Sequence, residues 1–87
     1  MKLSERQHEV LERMAHGGVL FVRLESSEAG IQETCWIGTV ELLPMTVNAL
    51  ITARLIERDK IFKGSPGLTA SYVMNFAGQA ALKLSRG

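Results

Sequence analysis

The sequence predicts one small α+β domain with the order helix, hairpin, helix, hairpin, helix. Three observations predict it. Apolar residues recur at helical spacing in three stretches. Two β-rich stretches between them are each split by turn residues. Helix start and stop signals stand at the joints. The 87 residues suffice for one domain, taken as residues 1–87, with no internal repeat and no linker.

The first helix is expected over about residues 5–15. Ser4 and Gln7 form a capping-box pair, and Gly17 and Gly18 supply the stop. Leu3, Val10, Leu11 and Met14 mark its apolar side, and Glu5, Arg6, Glu9, Glu12 and Arg13 its wet side. Val19–Glu25 and Ile31–Ile37 then read as two strands joined by the turn Ser26–Gly30. Pro44 fits the first position of a second helix, expected over about 44–54, with Val47, Leu50 and Ile51 inward and Leu55 just beyond. Its outward residues are Thr46, Asn48, Ala49, Thr52 and Ala53. "LIERDKIF" and "LTASYVMN" read as a second hairpin around "KGSPG". Asn75 caps a third helix whose inner side is expected to be Phe76, Ala77, Ala80, Ala81 and Leu84. Gly78 within it marks a close packing contact.

Composition bounds the function. The chain is 46% hydrophobic and 22% charged, an ordinary globular balance. Cys35 is the single cysteine, so no internal disulfide can form, which fits a reducing cytoplasm. No stretch has the pattern of a signal peptide or of a membrane span. Net charge is only +1, but it is unevenly spread. Residues 1–37 carry −2 and residues 38–87 carry +3, with Arg54, Arg58, Lys60 and Lys63 gathered around the second hairpin.

Catalysis is not expected. Nothing in the sequence brings His8 or His16 to Cys35, so the cysteine reads as buried and inert. One Cys and two His make no recognised metal set, and no phosphate-binding loop is present. Trp36 is expected to cover one end of the small core; the alternative role is an interface anchor. An exposed hairpin edge can accept a partner's strand.

The stretch from Thr46 to Arg58, a Gly-containing turn, then Ser71 to Leu82 resembles the second half of winged-helix proteins. Leu55, Ile56 and Glu57 match the strand opening, Tyr72 the strand tyrosine, and Gly78 and Leu82 the start of the last helix, with Asn75 where Thr is usual. A resemblance to the small bacterial YjhX family covers nearly the whole chain. It rests on the opening "MKLSERQHEVLERMAHGG", Cys35-Trp36, the short helix running into Leu55-Ile56, and the Tyr72 strand ending in Asn75. The wing is longer here and the last helix richer in alanine. The family's members are described as toxins that inhibit topoisomerase I.

The resemblance implies a winged-helix-like, cytoplasmic, non-enzymatic regulator of bacterial or phage origin. It would act by binding duplex DNA or a DNA-processing enzyme, or as a toxin-like inhibitor of such an enzyme. The candidate contact residues are Thr46, Asn48, Thr52, Arg54, Arg58, Lys60 and Lys63. Asn and Thr can contact bases, but phosphate neutralisation needs Lys and Arg, and the second helix has none before Arg54. A second copy of the chain is a further candidate partner. No cofactor, small-molecule ligand or membrane is expected.

Overall fold

The computed structural model describes residues 3–64 and 67–86. Helix α1 (Glu5–Ala15) opens on the capping box expected of it. Ser4 Oγ accepts from the Gln7 N–H at 3.1 Å, and Gln7 Oε1 accepts from the Ser4 N–H at 2.9 Å. It ends as Gly17 turns left-handed at φ 95°. The N–H groups of Gly17 and Gly18 then bond back to Met14 and Arg13.

Strands β1 (Leu20–Ser27) and β2 (Gly30–Ile37) pair antiparallel around Glu28 and Ala29. A third strand, β3 (Val40–Leu42), follows through Gly38, whose φ is 59°. It pairs Cys35 with Leu42 and Ile37 with Val40. The first hairpin is therefore extended into a three-stranded meander, and β3 lies just ahead of the helix start expected at Pro44. Helix α2 (Pro44–Thr52) is shorter than expected, with Ala53 as its C-cap. Strands β4 (Ile56–Lys63) and β5 (Gly67–Met74) form the second hairpin, whose turn residues Ser65 and Pro66 lie outside the described residues. Helix α3 (Phe76–Arg86) closes the fold.

The five strands make one antiparallel sheet in the order β3-β2-β1-β5-β4. Alternation gives it two unlike faces. Leu20, Val22, Cys35, Ile37 and Ile56 point to one face and join Val10, Leu11, Met14, Val47, Leu50 and Leu82 of the three helices in a single core. Phe21, Trp36, Val73 and Phe62 point to the other face and take no part in that core. Trp36 thus does not cover an end of the core. It lies half-buried against Phe21, ring centroids 5.6 Å apart and planes at 20°.

Asn75 caps α3 as expected, its Oδ1 accepting from the Gly78 N–H at 2.8 Å while its Nδ2 donates to the Arg54 carbonyl oxygen at 2.8 Å. Gly78 is a true close approach: a Cβ there would run into the Leu55 carbonyl oxygen and the Met74 side chain. That contact fixes the rotation of the helix and corrects its expected facing. Leu82 and Gly78 are buried and Ala81 half-buried, whereas Phe76, Ala77, Ala80 and Leu84 face solvent.

Candidate functional site

Helix α2 is held by Val47 and Leu50, both fully buried, and its terminal turn is a Schellman motif. The Leu55 N–H bonds to the Leu50 carbonyl at 3.1 Å, and the Arg54 N–H to that of Ile51 at 3.0 Å. Arg54 pays for this turn with a φ of 59°, the one positive value outside glycine among the described residues. Its side chain is carried outward where α2 meets β4.

Of the residues expected on the outward face of α2, Asn48 and Thr52 are exposed, one turn apart. The others are not. Ala53 packs against the core and Ala49 is half-buried. Thr46 is half-buried in a cleft of about 180 Å³ between α1, β3 and the start of α2. That cleft also holds Arg6, Glu9 and Arg13, with Arg13 paired to Glu9 at 3.3 Å. Sequence reasoning missed the most prominent residues here: Met45 is 82% exposed and Leu43 51%. Pro44 at the first helical position was the available signal, since a first-turn apolar residue beside it has no inward neighbour yet.

The four cations of the second hairpin do not form one surface. Arg58 lies opposite Tyr72 and Lys63 opposite Leu68, both on the helix-bearing face. Between them the register shifts at Asp59. This bulge turns Lys60 to the open face, opposite Ser71, whose Oγ accepts from the Lys60 N–H at 3.1 Å. Arg58 and Lys63 thus share the helix-bearing face at different points along β4, Arg54 lies just ahead of that strand, and Lys60 is separated from Arg58 and Lys63 by the thickness of the sheet.

Two other groups of chemical interest have structural explanations. Cys35 is fully buried, and burial, then the nearby Glu33 carboxylate, pushes its thiol from 9.0 to about 11. His8 Nδ1 lies 2.9 Å from Ser85 Oγ, and its Nε2 lies 3.8 Å from Glu12. A nucleophilic serine needs N–H donors for the developing oxyanion. Ser85 stands in the last turn of α3, where the free backbone groups are carbonyls. The arrangement ties α1 to α3. Among the described residues no three His, Cys, Asp or Glu are grouped to hold a metal, and no helix is long and apolar enough to cross a membrane. No protein-family model, characterised protein or solved structure gives a significant match to this chain.

Proposed function

We propose that this protein is a non-catalytic, winged-helix-like regulator of bacterial or phage origin that acts in the cytoplasm by binding. Its contact surface is α2 with the adjoining side of the β4–β5 hairpin. The frame is supported by topology: α2 runs directly into β4, and the returning β5 pairs with the first strand of the chain.

The observation that carries the choice of partner is the surface of α2. It presents Leu43, Met45, Asn48 and Thr52, and no Lys or Arg from Pro44 to Ala53. Duplex binding draws much of its affinity from neutralised phosphates, and this helix neutralises none. An exposed, adaptable Met beside a Leu suits a protein surface instead. The partner is a protein, and the resemblance to YjhX toxins supports a DNA-processing enzyme such as topoisomerase I. Arg54, Arg58 and Lys63 support a second reading, phosphate contact with duplex DNA of weak sequence preference.

The experiment pairs two assays. Supercoil relaxation by a bacterial topoisomerase I should be inhibited by the protein, and Met45→Glu should abolish inhibition without lowering the melting temperature. Selection from random duplexes at physiological salt should return no sharp motif. A sharp motif lost in Asn48→Ala, with topoisomerase unaffected, would reverse the assignment in favour of DNA reading.

A further inference from the structure

The open face of the sheet carries an ordered row across all five strands. Opposed pairs place Glu41 (β3), Trp36 (β2), Phe21 (β1), Ser71 (β5) and Lys60 (β4) side by side. The next row holds Thr34, Arg23, Thr69 and Phe62, the last 51% exposed. Among the described residues no helix covers this face. We propose that it is a homodimer interface: a second copy packs on it sheet to sheet, about a two-fold axis running along β1.

The arrangement of side chains argues for a second copy. β1 is the middle strand of the five. A two-fold axis along it lays the β3 edge of one copy over the β4 edge of the other. Phe21 then meets Phe21 of the second copy, and the bulky Trp36 lies over the small Ser71. Glu41 at one edge reaches Lys60 at the opposite edge, twice by symmetry. The Glu and Lys side chains are long enough to span sheets packed about 10 Å apart. Arg23 meets its own copy at the axis and arrives already paired, 2.8 Å from Glu25.

Charge argues against a nucleic acid on the same aromatics. The face carries Glu25, Glu41 and Glu57 against Arg23 and Lys60, a net −1, which repels a phosphate backbone. Area argues that the contact is modest. Five strands spaced about 4.8 Å and three rows of side chains give roughly 500 Å² a copy, or roughly 1,000 Å² in total. That is the threshold for a specific interface, so a dissociation constant of about 10–100 µM is expected.

The inference does not depend on which target α2 engages, because α2 lies on the far side of the sheet. It does divide the cations of the hairpin. Lys60 belongs to the dimer, while Arg54, Arg58 and Lys63 stay free for a target, and a dimer displays two such surfaces facing away from each other.

The test is sedimentation equilibrium of the full chain from about 1 to 500 µM, a range that brackets the expected constant, with Trp36 emission followed in parallel. A monomer–dimer equilibrium with a concentration-dependent blue shift is expected. Glu41→Lys and Lys60→Glu should each raise the dissociation constant about tenfold, since each sets like charges together at both edges. The double variant restores opposite signs and should return to within about threefold of the parent. Both positions are exposed, and melts at low concentration verify that each variant folds. Phe76→Glu, on the exposed stripe of α3, should leave the dimer intact. A monomer at every concentration overturns the proposal. So does a double variant as weak as the singles, dimerisation lost in Phe76→Glu alone, or Trp36 quenching by single-stranded oligonucleotide with no self-association.

Discussion

Gly17 and Arg54 occupy the same position in two Schellman turns, one closing α1 and the other α2. Glycine takes the left-handed conformation freely, whereas a side chain there costs about 1–2 kcal/mol. Arg54→Gly should therefore raise unfolding free energy by about 1 kcal/mol in denaturant titrations. If the guanidinium serves a target, the same variant will bind more weakly while folding better; a variant that is no more stable than the parent contradicts the strain argument. Cys35 makes the opposite kind of statement. Its folded thiol titrates above the unfolded one, so its contribution is complete below pH 9, where both forms are protonated. It is lost as pH rises from 9 through about 11, where the unfolded thiol ionises and the buried one resists. Stability should fall across that window in the parent and fall less in Cys35→Ala. At about pH 8 the native thiol should resist a disulfide reagent that labels the unfolded chain at once.

Among the elements, α3 shows most clearly how far local signals reach. Its cap and its close approach are both written in the sequence, as Asn75 and Gly78. Its facing is not, because alanine is at home on either side of a helix. The rotation is set by where Gly78 meets the Leu55 carbonyl, and that contact carries Phe76 outward to 85% exposure and Leu84 to 76%. Strand β3 was hidden for a different reason. Three residues are too few to show a period, and Val40–Leu42 becomes a strand only because β2 lies beside it. The candidate site was legible in composition and not in layout. Arg54, Arg58, Lys60 and Lys63 are all exposed, but a bulge at Asp59 decides which face each one serves, and no residue type announces that bulge. Gly78→Ala tests the packing reading of α3. Helix propensity alone predicts a gain of about 1 kcal/mol. A backbone carbonyl cannot yield as a flexible side chain can, so overpacking should win and the variant should lose about 1–3 kcal/mol. A Gly78→Ala protein that melts higher than the parent would show that propensity outweighs the contact.

At the scale of the molecule, the long strands outrun the helices that cover them. Eight residues of strand span about 26 Å, whereas eleven residues of helix span about 16 Å. The helices therefore shield only one end of the sheet, and the molecule is elongated, 46 × 22 × 22 Å, with a radius of gyration of 13.3 Å against about 12 Å for a compact chain of this length. Burial follows the same gradient: along β1, Leu20 and Val22 are buried and Leu24 is exposed, and along β4 only Ile56 is buried. Apolar side chains continue past the covered end, with Leu24, Ile31 and Ile61 exposed on the helix-bearing face. Strand pairing without packing is weak, so the two ends of one sheet should differ in stability. In native-state hydrogen exchange at micromolar concentration, amides hydrogen-bonded near Leu20–Val22, Cys35–Ile37 and Tyr72–Met74 should exchange only with global unfolding. Those near Leu24–Ser27 and Ile61–Lys63 should exchange by local opening, at least about a hundredfold faster, equivalent to about 2.7 kcal/mol. Uniform protection along β1 would mean that the far end of the sheet is held by something other than the helices, and the packing account of this fold would fail there.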